Sequence, residues 1–495
     1  MKARISHSVS HRHVSSVVTS NLQIWPNDRS GMLSSIKSAG GSTMHALHDV
    51  DEQETENRPC PVPWAFNSFI LNLNKGYFGA NQSDRAMVIQ FLRDPFIVTR
   101  ISNLKKGDIM ICSKVGKSIL ADAFAAGKEA ACGAKADDAK VAFVYCSCAY
   151  DVAEVVKGVK DALPGVPVLG NTSFTGVITP DGYVGGDDPF VGVMTLAGDD
   201  LVVGVAGAER KDVCPCEEGA GLAKAAMAAA GKTTAPDALY MAASPAEEEF
   251  WLKGISSVIG RVPFFGGSAA DNSIAGEWKI YADDLLFADG CIVAMFWGLN
   301  IKNVFTGAYR ETENFGVITK TNGIRCLAEI DGVPAADKYL EWRKELTRED
   351  VTGGNLLVTT ITSPLGIKDR LGDLIAIRHP MNGNDDGSFN VGANLAEKTC
   401  VIRMEATVDE LISSVGETLD KLLADLPCKP AALHLVHCGG RRAGIDSRIG
   451  EVAELAKAKA GDIPFIMEFT FGEYGFASDS NNTIGGLMLS FTALC

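Results

Sequence analysis

Ile463-Pro-Phe-Ile-Met-Glu-Phe-Thr-Phe-Gly-Glu-Tyr-Gly475 decides the fold. A proline sets the entry, a run of apolar, β-branched and aromatic residues reads as a buried strand, and glycines then turn the backbone around one carboxylate. Upstream, Ala432-Leu-His-Leu-Val-His437 reads as a second buried strand running into Cys438-Gly-Gly-Arg441-Arg442, and residues 448–460 between the two read as a helix. Strand, helix, strand is a βαβ unit whose loops open at the carboxyl edge of the sheet, where open α/β sheets bind small ligands. Cys438, Arg441 and Glu473 are therefore the first pocket candidates.

The same unit recurs twice. Val141-Ala-Phe-Val-Tyr145 leads through a helix over 153–163 to Val166-Pro-Val-Leu-Gly170. Ala238-Leu-Tyr-Met241 leads through a helix over 247–259 to Val262-Pro-Phe-Phe-Gly266. Each copy closes with Val-Pro or Ile-Pro and a short apolar strand. The first two then break at Gly170-Asn-Thr-Ser and Gly266-Gly-Ser-Ala-Ala-Asp-Asn272, and each is followed by two strands, 190–196 with 201–206 and 291–297 with 301–305. Repetition at this scale predicts an α/β protein of duplicated βαβ-type units with mixed sheets. Asn171, Thr172, Asp271 and Asn272 occupy corresponding breaks, either to bind ligand or to shape turns.

With 495 residues, 46% hydrophobic and 22% charged, the chain can bury ordinary globular cores. A net charge of −15 disfavours nucleic acid and anionic membrane as partners, since both demand a basic face. No apolar run approaches the ~18 residues of a membrane span. Thirteen scattered cysteines read as reduced thiols. Residues 1–27 carry Lys2, Arg4 and Arg12 with no acid before Asp28, which fits an unstructured leader of a cytoplasmic protein or an organellar (mitochondrial or plastid) transit segment. The expected organisation is a leader over 1–56, a helical extension over 57–139 with helices at 83–93 and 118–132, a duplicated domain over 140–310, a link over 311–335 and a second domain over 336–495. In that last domain strands are expected at 355–361, 374–377 and 400–404, with an amphipathic helix over 407–423.

With these residues laid out, the chain resembles the FIST family, with both its N-terminal and C-terminal regions packed together. Gly266-Gly-Ser-Ala-Ala-Asp-Asn272 with Leu286-Phe-Ala-Asp-Gly-Cys-Ile-Val-Ala294 resembles the former; Leu365-Gly-Ile, Asp386-Gly-Ser-Phe, Leu435-Val-His-Cys-Gly-Gly-Arg441, Phe469-Thr-Phe-Gly-Glu473 and Asn482-Thr-Ile resemble the latter. The resemblance implies an intracellular sensory module binding a small ligand, amino acids being proposed. It also implies two alternatives: a protein-interaction module or substrate adaptor related to F-box members and their ubiquitin-pathway partners, and a haem-binding gas sensor. No F-box helix is legible before the module and no kinase or cyclase segment after it.

The site residues expected for ligand are Asn171, Thr172, Asp271, Asn272, Cys438, Arg441, Glu473 and Tyr474. Arg441 suits a carboxylate and Glu473 an ammonium, so together they could clamp an amino acid; equally, they could pair with each other and hold two loops. His434 and His437 lie three apart on a strand and point to opposite faces, so they cannot share a metal; either, or His379, could serve as a single axial haem ligand. A hydrolase would use Ser268 or Cys438, but Gly266-Gly-Ser268-Ala-Ala270 lacks the last glycine of a nucleophile elbow. Neither a catalytic group nor a metal site is expected.

Overall fold

The structure is a computed structural model that describes residues 111–368, 374–426, 428–476 and 482–495, together with a two-stranded ladder of Ile36–Lys37 and Thr43–Met44 in a separate N-terminal unit. Apart from that ladder, the expected leader over 1–56 lies outside the described residues, as does the expected helix over 83–93.

Three six-stranded mixed sheets carry the body, and each is built on one of the three crossover units. The first runs Leu285–Phe287, Ile280–Ala282, Val168–Thr172, Ala139–Cys146, Val191–Ala197 and Cys112–Ser118. The second runs Thr483–Gly485, Glu473–Gly475, Phe264–Ser268, Ala238–Ala243, Gly290–Trp297 and Val202–Glu209. The third runs Gly182–Gly185, Gly176–Thr179, Phe465–Thr470, Ala432–Cys438, Leu489–Leu494 and Ile301–Thr306. In every sheet the two crossover strands are parallel and flanked by antiparallel neighbours.

The edge hairpins are exchanged cyclically. The hairpin that follows the first crossover completes the third sheet, the second completes the first, and the third completes the second. Exchange covers the open side of each crossover strand pair with a hairpin from another unit and so ties the units together. It also corrects the expected strand pairs: residues 191–197 and 202–209 do not pair but pass the chain from the first sheet to the second, and 290–297 and 301–306 pass it from the second to the third. The first unit begins at Cys112, and its helix Ala123–Gly133, capped by Asp122, packs on the helix Val152–Ala162.

A fourth, nine-stranded sheet occupies residues 310–405, inserted in the third unit between Ile301–Thr306 and the helix Val408–Leu423. The other units join the same elements in a few residues. The expected link over 311–335 is therefore the long strand Arg310–Thr321 and the strand Cys326–Ile330; its exposed, polar alternation hides it from an apolar-run criterion. The expected strand over 355–361 is instead a short helix, Leu357–Thr360. The helix Val408–Leu423 forms as its pattern demands. Thr407 and Glu410 make a capping box, and Leu411, Ile412, Val415, Leu419 and Leu422 bury one stripe.

At the junction of the sheets three equivalent ring positions meet. The centroids of Phe143 and Tyr240 lie 5.0 Å apart, and each lies 5.5 Å from that of His434. One cysteine reading is corrected: Cys428 and Cys495 form a disulfide that ties the end of the C-terminal strand to the segment before Ala432–Cys438, while ten other described cysteines are free.

Candidate functional site

The three corners that follow the crossover strands are hydrogen-bonded to one another. Ala270 N–H donates to Thr172 O (2.9 Å), Phe174 N–H to Phe469 O (2.9 Å) and Ser268 N–H to Gly472 O (2.7 Å). Glycine is required in the second corner: Gly266 has φ +133, and a Cβ there would lie 1.9 Å from Met241 O.

The expected site residues surround this junction and are largely satisfied within it. Asn171 donates to Glu468 Oε2 (2.9 Å) and accepts from Tyr240 (3.3 Å), whose hydroxyl is 3.2 Å from that of Tyr145. Tyr145 in turn lies 2.5 Å from His434 Nε2. This chain is fully buried, and burial pushes the Glu468 carboxyl up to about 8 and His434 down to about 3, so both are neutral at pH 7. Thr172 Oγ1 accepts from Lys279 N–H at 2.9 Å. Asp271 gathers the backbone N–H groups of residues 273–277 and so shapes its loop, while Asn272 links that loop to Thr175 N–H (2.9 Å) and Ser147 (3.2 Å).

Arg441 and Glu473 are both fully buried and form no ion pair. Arg441 opens the helix Gly439–Ile445 and donates to Gly307 O (2.7 Å), Leu411 O (3.0 Å) and Ser414 Oγ (2.6 Å). Glu473 accepts from Thr470 Oγ1 (2.9 Å) and Met488 N–H (2.8 Å), and burial raises it to about 8. Cys438 caps the same helix, its Sγ accepting from Gly440 and Leu487, and burial pushes its thiol up.

None of the three histidines fits haem as it stands. His434 is packed among four aromatic rings, His437 against Phe469 with Nδ1 3.0 Å from Cys438 O, and His379 is buried with Nε2 3.2 Å from Leu357 O. Among the described residues no group of three His, Cys, Asp or Glu could hold a metal.

Tyr474 leads from the junction to an opening. Its ring stacks on Phe264, and its hydroxyl shares a 2.8 Å hydrogen bond with Ser268 Oγ, which donates to Glu248 Oε1 at 2.8 Å. Glu248 and its neighbour Glu249 both meet Arg325 Nη2 at 2.5 Å. Asn394 then joins three partners: its N–H donates to Glu249 (2.9 Å), its Oδ1 accepts from Arg325 (3.0 Å) and its carbonyl from Arg378 (2.9 Å). Beside this relay lies a cavity of about 370 Å³, walled by Glu249, Leu252, Lys253, Ser256 and Arg261 on the helix Glu248–Ile259 side, and by Arg378, Asn394 and residues 482–484 opposite. Sequence reasoning missed these residues, because they come from three distant segments with no local spacing. A second, more open hollow of about 640 Å³ lies on the inserted sheet, against Glu313, Phe315, Lys338 and Trp342.

The described residues form an α/β body of cyclically interlocked crossover units, with a cavity between its second unit and the inserted sheet. Residues 140–333 match the FIST N domain and residues 335–475 the FIST C domain, and the chain belongs to the FIST family. Its domains are in general sensory, signal-transduction modules. The cavity lies across the boundary between the two matched regions. No curated protein is significantly similar to the chain. Among solved structures it is similar to a cyanuric acid hydrolase from A. caulinodans (11% identity, 78% of this chain and 99% of the other, TM-score 0.31). It is also similar to PurLQS from Thermotoga maritima (10%, 78% and 72%, TM-score 0.19). At such scores neither likeness bears on chemistry. Among the described residues no helix is long and apolar enough to cross a membrane.

Proposed function

We propose that the protein senses a small polar metabolite of the amino-acid class, bound in the cavity between the FIST N and FIST C regions. The observation that carries this reading is the cavity itself. It has the size of a small-ligand site, sits at a domain boundary, and gathers charged and amide groups around an apolar floor of Leu252 and Ile484. Ligand bound there touches both regions, so occupancy favours their docked arrangement, which is what a sensory module needs. The corner residues Asn171, Thr172, Asp271, Asn272, Cys438, Arg441 and Glu473 frame the junction behind the cavity, and Tyr474 connects that junction to the cavity wall through Ser268 and Glu248.

A thermal-shift screen over amino acids and small carboxylates tests the reading. Binding to the native state raises the melting temperature, and the rise grows with the logarithm of ligand excess over Kd. Ser256→Trp fills the cavity from a partly exposed helix position and is expected to abolish the shift while leaving the unliganded protein folded. A ligand-induced shift of full size in Ser256→Trp would place the ligand elsewhere.

A further inference from the structure

We infer that the ligand of this cavity is an acidic one, carrying two anionic groups, with Arg378 and Lys253 receiving them. This rests on the cavity being the ligand site and adds the charge class that the site selects.

The lining holds three cations, Lys253, Arg261 and Arg378, against one carboxylate, Glu249. Glu249 is already engaged, one oxygen meeting Arg325 at 2.5 Å and the other accepting Asn394 N–H at 2.9 Å. Its carboxylate is therefore turned to Arg325, which it shares with Glu248, rather than to a cation facing the ligand. Arg261 is held with its guanidinium 4.4 Å from the ring centre of Phe476. Arg378 is different. The partners of its guanidinium are backbone carbonyls, those of Asn394 (2.9 Å), Ile377 (3.1 Å) and Ile484 (3.5 Å). Those bonds go to Nε and Nη1 and fix the orientation of the planar group. Among the described residues neither Arg378 nor Lys253 has a carboxylate within ion-pair distance.

A half-buried guanidinium held by neutral acceptors keeps its charge without an ion-pair partner. Burial accordingly lowers Arg378 to about 10, with the field of Glu249 opposing. A zwitterion of zero net charge leaves that excess standing. A ligand with a second carboxylate, or a phosphate, cancels it, and planar Arg378 favours two-pronged contact with such a group. Asn482, whose side-chain nitrogen donates to Val262 O (3.0 Å) and whose buried Oδ1 has no partner among the described residues, offers an acceptor for an ammonium or hydroxyl.

The test is titration calorimetry with L-glutamate, L-glutamine, glutarate and inorganic phosphate on the full chain, on Lys253→Gln, on Arg378→Gln and on Ser256→Trp. Lys253 is exposed, so its variant folds whatever befalls Arg378→Gln. The expected result is that L-glutamate or glutarate binds the full chain more tightly than L-glutamine by roughly tenfold to a hundredfold. That preference shrinks in Lys253→Gln and Arg378→Gln, weakens with added salt, and all binding is lost in Ser256→Trp. Equal binding of glutamine and glutamate, both abolished by Ser256→Trp, overturns the charge class and leaves the cavity as the site. Binding of phosphate alone, without glutamate or glutarate, overturns the dicarboxylate form and retains the anion. Binding untouched by Ser256→Trp, or none by any of the four, overturns the site together with the inference.

Discussion

Replacing Glu468 by glutamine tests the neutral polar chain where the three sheets join. Burial raises this carboxyl from 4.5 to about 8. Between those values the folded protein holds a proton that the unfolded chain has released, so Glu468 favours folding fully below pH 4.5 and loses that contribution as pH rises toward 8. The loss is about 1.4 kcal/mol per pH unit, or about 5 kcal/mol across the window. Glutamine keeps the shape and the acceptor for Asn171 Nδ2 (2.9 Å from the present oxygen) but has no proton to lose. Denaturant unfolding of wild type and Glu468→Gln at pH 5.5, 6.5 and 7.5 reads the effect. The variant gains on wild type at each step, by about 1.4 kcal/mol per pH unit, while Glu473, also raised to about 8, titrates in both proteins and cancels. A stability difference independent of pH would refute the assignment, and would mean that Glu468 is ionised throughout, paired with His434 3.7 Å away.

Arg441→Ala leaves two carbonyls and Ser414 without their buried donor and is expected to cost about 3–5 kcal/mol in unfolding free energy, whether or not ligand is present; a cost under about 1 kcal/mol would show those bonds to be dispensable. Gly266→Ala adds a Cβ 1.9 Å from Met241 O at φ +133 and is expected to prevent stable folding, checked by far-ultraviolet circular dichroism and gel filtration. Reduction of Cys428–Cys495, 67 residues apart, is expected to destabilise by about 4 kcal/mol on a chain-entropy basis; Cys428→Ser should reproduce the fall in Tm and remove its sensitivity to reductant.

The crossover units were legible because buried parallel strands are continuous apolar runs and their prolines and glycines mark entry and exit. The amphipathic pattern over 407–423 likewise announced a helix by local spacing alone. The exchanged hairpins were not legible: Gly176–Thr179 and Ile280–Ala282 are three or four residues long and take their partners from another unit, so nothing nearby in the chain specifies them. Arg441 shows the matching limit for sites. Sequence gives its charge and its place after a strand, but its partners are carbonyls of Gly307 and Leu411, which have no sequence signature. The cavity was hidden for a related reason, since Lys253, Arg378 and Asn482 approach only when the inserted sheet folds over the second unit.

Amide hydrogen exchange, with and without the compound that gives the largest thermal shift, tests whether ligand occupies the cavity between the second unit and the inserted sheet. Slowed exchange is predicted in the helix Glu248–Ile259, around Asn394 and in Thr483–Gly485, the three segments that wall the 370 Å³ cavity. Protection confined to Arg310–Thr321 and Ala335–Trp342, with those segments unchanged at saturating ligand, would contradict it.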